Sequence, residues 1–428
     1  MNPICTRALI LLLALTAFRH ATADDFEYPG LVDSAEFSGE LALVGADYRV
    51  RDQATVVDYY ARFVIESDYG VIVADGADML QLRLRELEAL RTLEAMSVGR
   101  VMVESGGRRL RRPVDQVDKV AAHPTETVKG MPAGIGRYLL RGAERVGDVA
   151  LDIADAARDR WGSDGSAQNP ANQSSVGQRG GKLLRRLALR EIGYQKVRRG
   201  LARHLGVDPY SSNPLLRDRL DDLAWAAWSA DKGASLGLGA VISGPLDSAL
   251  DIAGDAHELV WENPPEKVEK RNQRALRSLS LSGKPVRDFL RNGAFNPLQQ
   301  TAFVDLLTDS AFSTIRPELL AMGTAAANER EARYLIDLLN QLRALAKQSA
   351  GLPRVGIVGP TPVLDSGDGR LWIVLPVDYV AWTELTAGFA LREDLLMHRP
   401  TLLVRGKVSE RALHELLRAG WRVEQERG

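Results

Sequence analysis

The chain has 428 residues, of which 45% are hydrophobic and 26% charged, with a formal net charge of −1. That composition is ordinary for a globular chain able to bury a core, the length suggests two or three domains, and the charge balance implies no global electrostatic partner. The single cysteine, Cys5, leaves no scope for a disulfide framework.

Residues 1–23 read as a secretory signal. Arg7 gives the positive start, Ala8 to Phe18 the apolar run, and Ala21-Thr22-Ala23 the small-residue site that places cleavage between Ala23 and Asp24. The apolar run is too short for a stable span, so no transmembrane segment is expected after signal removal. Cys5 precedes the run, whereas a lipid-modified cysteine would follow it. The mature chain then has no thiol, which excludes disulfides, cysteine zinc sites and a cysteine nucleophile. Arg7 and Arg19 are the leader's only charged residues, so residues 24–428 carry 53 basic against 56 acidic side chains, a net −3. A large exported chain without cysteine fits a bacterial periplasmic or secreted protein.

Residues 24–161 form an N-terminal hairpin and helix region. Tyr48 to Arg51 alternates, Thr55 to Ile65 has high β propensity, and Asp68-Tyr69-Gly70 turns the chain into Val71 to Ala74. This predicts an antiparallel hairpin. Asp75 is placed to cap a following helix, in which Leu80, Leu84, Leu87, Leu90 and Leu93 share one face while Arg83, Glu86, Glu88 and Arg91 take other faces. Ile135, Tyr138 and Leu139 begin another helical stripe. Residues 162–181, rich in Gly, Ser, Asn and Gln, read as a flexible linker.

Residues 182–350 read as helix after helix. Asn213-Pro214 and Asn263-Pro264 each set a capping Asn before a proline suited to the first helical turn. Residues 351–428 close the chain with a strand at Leu371 to Val377, a helix near Trp382 to Leu396, a break at Pro400 and a strand at Thr401 to Gly406. A helix capped by Ser409 and stopped at Gly420 follows, then an edge strand at Trp421 to Gln425. Short crossovers favour parallel pairing. The fold class is α+β: an N-terminal antiparallel hairpin with its helix, a long helical middle, and a C-terminal βαβαβ unit with a small parallel sheet, which could share one sheet with the N-terminal strands.

The segments Asp208-Pro209-Tyr210-Ser211-Ser212-Asn213-Pro214, Leu375 to Trp382 and Gly420-Trp421 together resemble a group of uncharacterised exported bacterial proteins. The resemblance spans most of the mature chain and implies export; it carries no activity and no site residues.

The chemical candidates are few. Asp378, Arg405 and Lys407 follow strands of the parallel unit, where such sheets hold ligands at their rim. Gly233-Ala234-Ser235-Leu236-Gly237 matches the nucleophile pattern G-x-S-x-G, but a helix rather than a strand precedes it. Asp247, Asp251 and Asp255 fall on one helix face; a solvated acidic face is the simpler reading, and no metal site is assigned. No phosphate loop or histidine chelate occurs, and no cofactor is expected. Arg179 to Arg203 holds nine basic residues and one acid. Arg185, Arg186, Arg198 and Arg199 are its candidate contacts to an anionic membrane surface or an acidic envelope partner. Nucleic acid does not suit an exported chain. Two functions follow: a non-enzymatic envelope protein working by binding or assembly, or a hydrolase with a site at the C-terminal rim or Ser235.

Overall fold

A computed structural model describes residues 26–98, 135, 138–139, 193–229, 254–349, 353–367 and 369–426. The first sheet consists of β1 (Leu31–Asp33), β2 (Tyr48–Val50), β3 (Gln53–Val57), β4 (Tyr60–Ser67) and β5 (Gly70–Asp75). All its pairings are antiparallel, in the order β1-β3-β4-β2, with β5 on the other side of β4. The stretch from Thr55 to Ile65 is therefore not one strand but two, folded at Asp58–Tyr59. Alternation puts Ala54, Val56, Ala61, Phe63, Ile65, Ile72 and Ala74 on one buried face. Helix α1 (Ala77–Val98) lays its predicted leucine stripe on that face.

Two helices cover α1 from the other side: α2, described over 193–205, and α3 (Pro214–Ser229). Leu201, Ala202, Leu205, Leu216, Leu220 and Ala224 complete this core. Arg83 and Glu86, expected on polar faces of α1, are buried. The chain from Ser211 to Asn213 covers them and supplies their hydrogen-bond partners.

The helical middle continues as α4 (Gly254–Glu262), α5 (Pro265–Ser278), α6 (Lys284–Leu290), α7 (Pro297–Thr308), α8 (Arg316–Ala325) and α9 (Glu329–Gln348). Phe289, Phe295 and Phe303 cluster at its centre with ring centroids 5.2–5.4 Å apart. Asn213 accepts from the N–H of Leu215, as a cap should. Asn263 does not cap α5; its amide donates to Leu259 O and closes α4 instead. The complete capping box lies at Asn296, which accepts from Gln299 N while Gln299 reaches back to Asn296 N. Helix α9 is buried along most of its length and lies against the second sheet.

That second sheet contains β6 (Arg354–Val358), β7 (Thr361–Asp365), β8 (Leu371–Leu375), β10 (Pro400–Val404) and β12 (Arg422–Gln425), in the order β12-β10-β8-β7-β6. Strands β8, β10 and β12 are parallel, as the βαβαβ reading requires. The β6–β7 hairpin adds antiparallel strands ahead of them. The crossover after β8 holds two helices, α10 (Glu384–Ala390) and α11 (Glu393–Leu396). The break frees Arg392, whose guanidinium donates to Leu139 O at 2.7 Å, Val358 O at 2.7 Å and Thr361 Oγ1 at 2.6 Å. Ser409 caps α12 (Glu410–Arg418), and Gly420, at φ 94°, ends it. Short strands β9 (Tyr379–Val380) and β11 (Lys407–Val408) form a separate two-stranded parallel sheet. The N- and C-terminal strands thus belong to separate sheets.

Candidate functional site

The tip of the β3–β4 hairpin is where the three parts of the molecule meet. Its two central residues, Asp58 and Tyr59, sit at φ 51° and 69°, the geometry of a two-residue turn that Asn-Gly usually fills. Here tertiary contacts hold a conformation the side chains disfavour. Both Asp58 carboxylate oxygens accept from Ile135 N, at 3.0 and 3.1 Å, and Arg330 of α9 pairs with the same group at 3.2 Å. Tyr59 O accepts from Asp378 N and Tyr379 N at 3.1 and 3.0 Å. Burial pushes the Asp58 carboxyl up to about 6 against the opposing pull of Arg330.

The three predicted rim residues are all engaged at this seam. Asp378 Oδ2 accepts from Ala61 N at 2.9 Å, and Oδ1 from Ala77 N at 3.4 Å. Asp378, rather than Asp75, therefore meets the open start of α1. Burial raises Asp378 to about 6, opposed by the Ala61 hydrogen bond and by Arg405. Arg405 pairs with Asp78 in the first turn of α1 at 2.6 Å. Lys407 pairs with Glu36 at 2.9 Å and stands 5.4 Å over the Phe37 ring. Asp75 instead holds Arg62 at 2.6 and 3.0 Å and Arg330 at 3.2 Å. Burial would raise its carboxyl, but these guanidiniums, Arg62 foremost, bring it below the usual range. Gly406 is required where the two loops cross, because a Cβ there would lie 2.0 Å from Asp378 O.

A second polar cluster surrounds Asp208 to Asn213. Arg83 Nη1 donates to Glu86 Oε2 at 2.7 Å and to Ser211 Oγ at 3.2 Å; Asn213 Nδ2 donates to the same Glu86 oxygen at 2.9 Å, and Ser211 Oγ to the other. Asp208 accepts from Tyr210 N and from Asn296 Nδ2, both at 2.8 Å. Burial pushes Asp208 up to about 7, and the nearby charges of Glu86 and Glu329 add to the shift.

Arg198 and Arg199 require a correction. Expected to contact an anionic surface, both are only 6% exposed. They occupy the side of α2 that faces the Tyr210 loop and α3: Arg198 pairs with Asp221 and lies 5.9 Å from the Tyr210 ring centre, and Arg199 neighbours the Tyr210 hydroxyl. The basic run does not put these two side chains in solvent. Arg185, Arg186, Ser235, Asp247, Asp251, the 162–181 linker and the Ala23–Asp24 junction lie outside the described residues. Asp255 is exposed in the first turn of α4. Among the described residues no group of three or more His, Cys, Asp or Glu side chains is placed to hold a metal ion, and no helix is long and apolar enough to cross a membrane.

An open concavity lies elsewhere. A trough of about 460 Å³ runs over the outer face of the first sheet, lined by Leu31, Arg51, Asp52, Gln53, Thr55, Arg62 and Val64. Carboxylates fix its two arginines: Arg51 Nε donates to Glu66 at 2.8 Å, and Arg62 is held by Asp75. The sequence signal for this trough is the outward-facing half of the β3–β4 alternation, which mixes Gln53, Thr55 and Arg62 with Val64.

No family model matches this chain, and no curated protein or solved structure matches it either.

Proposed function

We propose that this chain is an exported bacterial envelope protein that works by binding, and that its binding surface is the trough on the first sheet. The trough carries the reading. It is concave and open, it alternates apolar and hydrogen-bonding side chains, and its arginines are fixed in place before a ligand arrives. Arg62 commits its Nε and Nη2 to Asp75, two of the donating positions of a guanidinium that carries five N–H groups. Such a surface suits an acceptor-rich polar chain, such as a short extended peptide lying beside the edge strand β1. The rim of the parallel sheet, the other place to seek a ligand, commits its charged groups to the seam. The export part of this reading rests on the leader pattern of residues 1–23, and the first described contacts of the chain tie Glu27 to the C-terminal unit. Glu27 N donates to Trp382 O at 2.8 Å, and its carboxylate accepts from Trp382 N and Ser409 Oγ, both at 2.5 Å.

The test is a titration of the isotope-labelled mature chain with short unstructured peptides, followed by amide chemical shifts. Saturable shifts should centre on Leu31, Gln53, Thr55 and Val64 and vanish in Thr55→Trp, which fills the trough from an outward-facing position. Shifts centred elsewhere, or none, would overturn the assignment.

A further inference from the structure

The outer edge of the second sheet ends in a strand whose residue pattern complements itself. Strand β12 pairs with β10 on one side only, and among the described residues no strand takes the other side. Glu426 N donates to Val404 O at 3.0 Å. Backbone groups alternate along a strand, so Arg422 and Glu424 turn their N–H and C=O groups toward β10, while Val423 and Gln425 turn theirs to the open edge. The side chains of Arg422 and Glu424 stand on one face, both exposed and, among the described residues, neither in an ion pair, and Val423 packs against the core. The helix that leads into this strand, α12, carries two exposed leucines one turn apart, Leu413 at 37% and Leu417 at 54% exposure.

The geometry points to a second copy of this chain as the partner of that edge, joined through antiparallel β12–β12 pairing across a two-fold axis at Val423. This inference is independent of what the trough binds. In this register the two Val423 residues exchange backbone hydrogen bonds at the axis. Arg422 of each copy then stands opposite Glu424 of the other, so symmetry makes the favourable pair twice. The neighbouring register, with the axis at Glu424, again gives each Arg422 a carboxylate, Glu426 of the other copy, but sets the two Glu424 carboxylates directly against each other. The register centred on Val423 is the one that makes both favourable pairs without a like-charge contact. An axis perpendicular to the sheet brings both α12 helices to the same face, where the Leu413–Leu417 surfaces flank the joint.

Sedimentation velocity of the mature chain over a wide concentration range tests this. The wild type should show a reversible monomer–dimer equilibrium. Glu424→Arg should weaken it by about tenfold or more, since it turns two attractive pairs into two repulsive ones. The double exchange Arg422→Glu/Glu424→Arg should restore it. Val423→Pro should abolish it while the circular dichroism spectrum stays near wild type, because the lost N–H points outward; the thermal midpoint falls modestly as the valine's packing on the core is lost. A chain that stays monomeric throughout overturns the proposal. So does a dimer indifferent to Val423→Pro, or one whose affinity ignores the charge reversal.

Discussion

Asp378 and Ala61 are 317 residues apart, yet the Asp378 carboxylate accepts the Ala61 backbone N–H at 2.9 Å. Its other oxygen faces Ala77 N at the start of α1. One buried side chain from the C-terminal unit thus satisfies one donor in the middle of the first sheet and another at a helix end that has no cap of its own. Asp378→Ala should remove about 2–4 kcal/mol of stability, since a charge-assisted acceptor disappears and a buried donor is stranded. Asp378→Asn, which keeps one carbonyl acceptor, should lose less. Urea unfolding of both variants measures the difference, and equal losses would show that the Ala61 contact carries little.

The pH profile should have a definite sign. The folded-state values of Asp58 and Asp378, about 6, and of Asp208, about 7, lie above the unfolded value of about 3.9. Between these limits the folded chain binds more protons than the unfolded chain, so stability falls as pH rises through roughly 4 to 7 and levels off above. Asp75 is shifted the opposite way and withdraws its contribution only as the medium becomes strongly acidic. Unfolding free energy should therefore be higher near about pH 5 than near about pH 8. A Asp58→Asn/Asp208→Asn variant should flatten the slope; a wild-type profile that rises across the window would contradict the burial argument.

Gly406 and Gly420 should respond differently to alanine. At Gly406 the new methyl would meet the Asp378 backbone at 2.0 Å, where neither loop has a flexible side chain to move aside. At Gly420 the space is open and only the positive φ of 94° opposes it. Gly420→Ala should cost about 1 kcal/mol, and Gly406→Ala enough to prevent accumulation of folded protein. Soluble yield and thermal midpoints would decide.

The contrast between those glycines reflects what a sequence can show. Gly420 follows a helical stripe and precedes a strand, so its role is written in local order, as is that of Ser409. The parallel strands were legible for the same reason: apolar runs, caps and short crossovers all lie within a few residues of one another. The β6–β7 hairpin escaped although its strands are as long as β8 and β10, because Gly356 and Pro362 interrupt the apolar runs on either side of its Gly359-Pro360 turn. Nothing near Asp378 in sequence announces Ala61, since that partner comes from the opposite end of the chain. Arg83 and Glu86 looked like solvent-facing residues because the loop that buries them lies more than a hundred residues later. Arg198 and Arg199 differ: their neighbours Tyr210 and Asp221 lie close in sequence, but a basic run shows charge density and not which turn of the helix meets a neighbour.

Arg83, Glu86 and Asn213 offer the sharpest energetic test of the buried cluster. Arg83 and Glu86 are 6% and 1% exposed in their side chains and pair at 2.7 Å; Ser211 accepts from Arg83 and donates to Glu86, and Asn213 donates to Glu86. Removing one member strands a charge in a desolvated site. Arg83→Met should therefore cost about 3–5 kcal/mol, most of it from the uncompensated Glu86 carboxylate. Arg83→Met/Glu86→Leu removes both charges and should recover a large part of that loss. It leaves Ser211 and Asn213 with unmet hydrogen bonds, so recovery should stop short of wild type by about 1–3 kcal/mol. A double-mutant cycle in urea gives the coupling directly. Strong positive coupling places the pair in a closed, water-poor core beneath the 208–213 loop. Additive losses would mean that water reaches Glu86 when Arg83 is gone, and that the loop lifts more readily than its hydrogen bonds suggest.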